Sequence, residues 1–444
     1  MLLIGNGKLI TQDPANPYYE QGAVLVDGSR IQAVGPYEEL TSAHPEAEVI
    51  DAKGMVIMPG LINTHHHIYS AFARGLNIQG NSPKNFLEIL EGTWWKIDRQ
   101  LTLENVYFSA LTTYMECIQN GVTTVFDHHA SYGAVTGSLF EIARAAKELS
   151  IRTSLAYEIS DRDGVQKTKE AMEETQDFLQ FVKQNNHTMI QGMVGLHASF
   201  TLSPETLKLC RREEFIKAGF HIHVAEGEYD EAHCQSTYGK SVVKRLEEEG
   251  ILGQRCIAGH CIHISNEDMD TLQKTNTMVV HNPQSNMGNA VGSPDVIGML
   301  DKKILVGLGT DGYTSDMFES LKTAHILQRH RRGLPDRGFL EATQLLFDHN
   351  AKIASRHFGQ EMGVLKQGAT ADVILVDYQP YTPMTKDNLA GHLMFGMNGR
   401  MTDTTMIHGK IVMRGRKLLT VDEKTIKEES IKSAQGLWNR LCYS

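Results

Sequence analysis

Apolar residues recur along this chain in short unbroken runs. Between residues 58 and 360 each run is followed by a polar loop and then by a longer stretch of helical spacing. Runs without alternation belong to strands covered on both faces, and their succession with helices implies parallel strands joined by crossovers. The first is Pro59-Gly60-Leu61-Ile62-Asn63-Thr64-His65-His66-His67, led into by the equally apolar Gly54-Met55-Val56-Ile57-Met58. Further strands are expected at Val122 to Phe126, Ile151 to Tyr157, Met189 to Leu196, Phe220 to Ala225, Arg255 to Gly259, Met278 to Val280 and Ile304 to Gly309. The stretches between them, such as Ser138 to Leu149, Pro204 to Ala218 and Ser241 to Glu249, mix charged and apolar residues as outer helices do. Eight such units favour closure into a TIM-like (β/α)8 barrel over an open doubly wound sheet.

The flanks read differently. Short strand-like runs at Leu2 to Leu9, Ala23 to Asp27, Arg30 to Gly35 and Ala47 to Ile50 are separated by turns, with Val26-Asp27-Gly28-Ser29 as a hairpin. The same texture returns at Ala371 to Val376 and Met406 to Met413, where His408-Gly409 is expected to be a turn and not a ligand. Residues 1–57 and 361–420 are therefore expected to pair into one small β-sandwich domain, 58–360 to form the barrel, and 421–444 to form a terminal helix.

In a closed β/α barrel the working side chains sit at the C-terminal ends of the strands. The first run ends in His65 and His67, the second in Asp127, His128 and His129, the fourth in His197, and the fifth in His223 and Glu226; the sixth, seventh and eighth end in His260, His281 and Asp311. Residues two apart in a strand share a face, so His65 and His67 point together while His66 points away. On its own this triplet is equally a solvated turn, and two ligands do not make a site. Position supplies the others: His65, His67 and His223 bring three imidazoles and Asp311 a carboxylate, leaving room for a water whose pKa a metal would lower. A second ion would need a bridging anion such as a modified lysine on strand four, which ends instead in His197; one divalent ion is expected, zinc in preference to iron. His221 lies one layer deeper and reads as a hydrogen-bonded core residue, and His263, His325, His349 and His357 lie off the strand ends.

Composition narrows the class. At 444 residues, with 41% hydrophobic and 22% charged residues, the chain is an ordinary globular one, and its net charge of -10 argues against nucleic acid. Six cysteines without a Cys-x-x-Cys pair make a disulfide scaffold improbable. The N-terminus turns polar too soon for a signal peptide and no run is long enough to span a membrane, so a cytoplasmic protein is expected.

Five motifs resemble those of the amidohydrolase superfamily, in its cytosine deaminase and chlorohydrolase-like branch, and within it the group of SsnA aminohydrolases. They are Pro59 to His67, His223-Val-Ala-Glu226, Ala258-Gly-His260, His281-Asn-Pro-Gln-Ser-Asn286 and Gly309-Thr-Asp311-Gly312, in order and over nearly the whole chain. The resemblance implies a barrel with a sandwich built from both termini, and a homodimer. It implies metal binding by His65, His67, His223 and Asp311, proton movement by Glu226 and Asp311, and polarisation by His260. The activity expected is hydrolytic deamination of a purine, pterin, pyrimidine or triazine-like ring; loss of chloride, opening of a cyclic amide, or a silent scaffold remain alternatives. His197, His281 and His129 are expected at the substrate. Trp94 is expected either to stack on a flat ring there or to pack with Trp95 against the barrel. After Ser285-Asn286 the chain has Met287-Gly288-Asn289, where many relatives carry a lysine or leucine-glycine pattern.

Overall fold

A computed structural model describes residues 1–442. Eight parallel strands, hydrogen-bonded in sequence order, form the barrel: Leu61–His66, Val122–His129, Arg152–Ile159, Ile190–Leu196, Phe220–Val224, Ile257–His260, Met278–His281 and Val306–Leu308. The eighth returns to the first, since the amides of Thr310 and Asp311 donate to the His65 carbonyl at 3.1 and 3.0 Å and His66 bridges to Asp311 in parallel register. The second and third strands run past the ends of their apolar runs, to His129 and Ile159, because the polar residues beyond are buried and keep pairing across the sheet.

A second, mixed sheet of nine strands is built from both termini. Its central member is Val56–Pro59, which pairs in parallel with Leu2–Ile10 and antiparallel with Val373–Val376. This corrects the expectation that residues 54–58 lead straight into a barrel strand. The run is apolar throughout for another reason: Ile57 packs in the core of the terminal sheet, while Val56 and Met58 face the barrel core on its other side. The chain changes sheets at Gly60, whose amide donates to Asp372 O at 3.0 Å, and a Cβ there would lie 2.3 Å from Thr123. Only glycine fits so close an approach.

The two sheets are tied by a buried ion pair. Arg152, on the third barrel strand and fully buried, bonds Asp372, which also accepts the backbone N–H of His408 at 2.7 Å and so holds the left-handed turn at His408-Gly409. The helix Glu423–Cys442 packs along Leu103–Gln119, and Trp438 donates to Phe72 O at 2.7 Å. Tyr443 and Ser444, the end of the expected terminal helix, lie outside the described residues. Among those described, no helix is long and apolar enough to cross a membrane.

Candidate active site

Three imidazole Nε2 atoms converge at the C-terminal mouth of the barrel. His67 Nδ1 donates to His128 O at 2.5 Å and His223 Nδ1 donates to His197 O at 2.9 Å. A carbonyl can only accept, so both rings carry their proton on Nδ1 and turn Nε2 lone pairs toward one another, 3.1 Å apart. His65 Nδ1 pairs with His221 Nε2 at 2.7 Å, and His65 Nε2, fully buried, finds no hydrogen-bond partner among the described residues. Facing lone pairs in a dry site repel unless a cation lies between them, and an outer N–H held by a carbonyl is the usual support of a metal-ligating histidine. Asp311 completes the group: Oδ1 lies 3.1 Å from His67 Nε2, while Oδ2 accepts from Ser285 Oγ at 2.6 Å. Ligand atoms of His65, His67 and His223, and again of His65, His260 and Asp311, lie within 4.8 Å of one another. The donor set therefore fits a divalent ion with nitrogen and carboxylate ligands.

Burial sets the charges. It holds His65 and His223 well below the ordinary histidine range, with the neighbouring imidazoles adding to the effect, so both remain neutral. Burial works to raise the Asp311 carboxyl, but His67, His260 and the Ser285 hydroxyl outweigh it and hold the group at about 2. Glu226 goes the other way, since burial and the Asp311 charge push it well above the usual carboxylate range. Two carboxyl groups driven apart in this manner divide into a standing base and a standing acid. His260 lies between them, its Nε2 3.5 Å from Glu226 Oε2 and 3.7 Å from Asp311 Oδ2, with Nδ1 bonded to Asn286 Oδ1 at 2.8 Å. Ala225, His260 and Asp311 all have left-handed backbone (φ 45, 68 and 55°), a conformation that costs roughly 1–3 kcal/mol per non-glycine residue and gathers at working sites.

Above this group lies a cleft with about 850 Å³ of void, open solvent included. His197 lines it, as do both tryptophans: Trp95 meets His197 edge-on at 6.0 Å and Trp94 meets Tyr69 at 6.1 Å. His129 and His281, expected at the substrate, line no part of the cleft. The second strand continues through His129, which bonds Ser131 Oγ at 3.0 Å and lies edge-on to Tyr69, a residue of the cleft wall. His281 still belongs to its own strand and is wholly buried; that segment reaches the cleft through Ser285 and Asn289, further along. His66 faces a different cavity, beside the terminal helix. The sequence reading missed Asp98 and Glu158, both on the cleft wall and both bonded to Arg162. Glu158 follows the third apolar run directly, and that position was the available signal; Asp98, on a helix in the long loop after strand one, offers none.

Similarity to known proteins runs the length of this chain. The sequence model of the Amidohydrolase family matches residues 56–412. A 5'-deoxyadenosine deaminase of Methanosarcina mazei is 32% identical over 447 residues, covering 99% of each chain. A 5-methylthioadenosine/S-adenosylhomocysteine deaminase of Desulforudis audaxviator is 31% identical over 424 residues, covering 94% of this chain and 95% of the relative. Among solved structures, an adenosine deaminase from Xanthomonas campestris with bound zinc superposes with a TM-score of 0.84 at 20% identity, covering 99% and 98% of the two chains, which speaks to the fold. With the barrel closed, the histidines and the aspartate gathered at its mouth, and similarity running the length of the chain, this protein belongs to the amidohydrolase family.

Proposed function

We propose that the protein hydrolyses the exocyclic amino group of a nitrogen heterocycle and releases ammonia, with one divalent ion, zinc in preference to iron, held by His65, His67, His223 and Asp311. The observation that carries this reading is the facing Nε2 atoms of His67 and His223 beside two buried carboxyl groups whose surroundings push them in opposite directions. When bound, the ion supplies Lewis acidity toward the attacking water. Asp311, low in pKa and oriented by Ser285, accepts the water's proton and passes it to the departing amino group, which leaves as ammonia while the carbonyl forms. Glu226, its carboxyl pushed well above the usual range by burial and the Asp311 charge, gives its proton to the ring nitrogen beside the carbon under attack and takes one back from the new hydroxyl as the carbonyl forms. His260, buried and 3.5 Å from Glu226, steadies the charge that develops there. Trp94, Trp95 and His197 enclose the ring and exclude water.

The relatives named as deaminases of adenosine derivatives make an aminopurine the first ring to test, followed by pterin, pyrimidine and triazine rings. The experiment is metal analysis of the purified protein, then an ammonia-release screen of the zinc- and iron-loaded forms. Release from at least one amino-ring, stopped by chelation and restored by metal, is the expected result. Hydrolysis of a chlorinated ring or a cyclic amide, with no ammonia from any ring, would overturn the reading. We also propose that the protein is cytoplasmic and a homodimer, the dimer supported by exposed apolar side chains at Ile326, Leu340 and Phe395; fractionation and sedimentation read the two points.

A further inference from the structure

The wall of the cleft at the end of the third barrel strand is short of positive charge. Arg162 Nη2 bonds Asp98 Oδ2 and lies 3.1 Å from Glu158 Oε1, while its Nη1 lies 3.0 Å from Asp163, which Arg99 Nε also meets at 2.6 Å. Two guanidinium groups thus serve three carboxylates. The guanidinium of Arg162 lies against the rings of Tyr132 and Trp95, 4.0 and 5.1 Å from their centroids, which holds it behind the wall. Asp98 and Glu158 reach the cleft and the arginine does not; among the described residues no lysine or arginine lines that cleft at all. The second oxygen of Glu158 lies 4.0 Å from His128 Nδ1, beyond hydrogen-bond reach.

On the reading that the site binds an amino-heterocycle, we propose that Glu158, with Asp98, forms a charge-selecting wall. The bound ring presents N–H or O–H donors, or a positive charge, on the edge turned toward strand three, and derivatives carrying a carboxylate or phosphate are rejected. An anion brought here loses its water and finds no counter-ion, whereas a donor or cation supplies what the acidic wall lacks. Burial pushes the Asp98 carboxyl up to about 8 in spite of Arg162 and also raises Glu158, so the rejection of anions should strengthen as pH rises and these groups lose their protons. Glu158 touches no metal ligand in this scheme, so it acts on the choice of ring and not on the chemical step.

The test uses three pairs that share a ring and differ by one anionic group: adenosine and adenosine 5'-monophosphate, pterin and pterin-6-carboxylate, cytosine and 5-carboxycytosine. Binding to the full metal-loaded chain is read from the initial quench of tryptophan fluorescence, since Trp94 and Trp95 line the cleft. In each pair that binds, the uncharged member is expected to bind at least about a hundredfold more tightly, the cost of juxtaposing like charges. Glu158→Gln should shrink that gap at least tenfold by admitting the anion, and Glu158→Asp, which keeps the charge, should preserve it. Should Glu158→Gln fail to fold, Asp98→Asn takes its place with the same expected direction. An anionic member within threefold of its partner, a gap unchanged in Glu158→Gln, or no quench by any of the six molecules would each overturn the proposal. The two readings fail separately: charge preference without ammonia release sinks the deaminase and keeps the wall, and ammonia release without charge preference does the reverse.

Discussion

Replacing Glu226 by glutamine tests the division of labour between the two carboxyl groups of the site. The substitution keeps the size of a buried side chain and its capacity to bond His260, whose Nε2 lies 3.5 Å away, but it removes the transferable proton. A positioned general acid contributes roughly 10²–10⁴ in rate, so a fall in kcat of about a thousandfold is expected, or about 4 kcal/mol of lost transition-state stabilisation. KM and metal content should stay within about threefold, because Glu226 is neither a ligand nor the main contact with the ring. The pH profile gives a sharper check. A carboxyl raised by burial and by Asp311 delivers a proton only while it holds one, so wild-type activity should fall on the alkaline side, and that limb should vanish in Glu226→Gln. Steady-state ammonia release from pH 5 to 10, with metal analysis of both proteins, measures all of this. A variant that retains more than a tenth of wild-type kcat would remove Glu226 from the proton path.

Asp311→Asn should keep the fold, since asparagine tolerates the left-handed backbone at φ 55°, but reduce turnover at least about ten-thousandfold; parental turnover would show the mechanism to be wrong. His66→Ala, facing a cavity other than the catalytic cleft, should leave kcat within about threefold and metal content unchanged, and loss of the metal would mean that the ligand face of the first strand is misassigned. Asp127 accepts the Ile68 N–H at 2.8 Å, and burial lifts its carboxyl from 3.8 to about 8, so the folded state binds the proton more tightly than the unfolded chain. Its contribution is complete below pH 3.8 and is lost as pH rises through 8. Asparagine has no such loss, so between pH 5 and 8 the urea stability of Asp127→Asn should gain on wild type by about 4 kcal/mol, and a constant difference across that range would refute the assignment.

The barrel was legible because its strands are built on short unbroken apolar runs, most of them followed at once by polar residues. His65, His67, His223, His260 and Asp311 stand at those ends and could be named together with their companions. What the sequence concealed were cases where burial and polarity part company. His129 and His281 follow apolar runs as His65 and His223 do, but each is the last residue of its strand and still pairs across the sheet, which carries both rings into the wall. Glu158 follows an apolar run too, on the strand whose end looked empty, because the run was judged finished at Tyr157. Val56 and Met58 misled in the opposite sense. Burial on two faces was read correctly, but the sequence does not say which sheet does the burying, and the terminal sheet had a prior claim on residues that its own ends leave uncovered.

The seam of the barrel and the site are one piece of structure, and this bears on what the fold can tolerate. His65 and Asp311 face each other where strand eight meets strand one, and the same backbone atoms that close the cylinder, His65 O and the amides of Thr310 and Asp311, set the spacing of these two residues. Left-handed backbone at Ala225, His260 and Asp311, a buried acid at Glu226 and unshielded lone pairs on three imidazoles all cost stability in the metal-free chain. A sequence selected for stability alone would place glycine, glutamine and an aliphatic side chain at such positions. Their presence at the ends of strands five, six, eight and one is what a site under functional constraint requires.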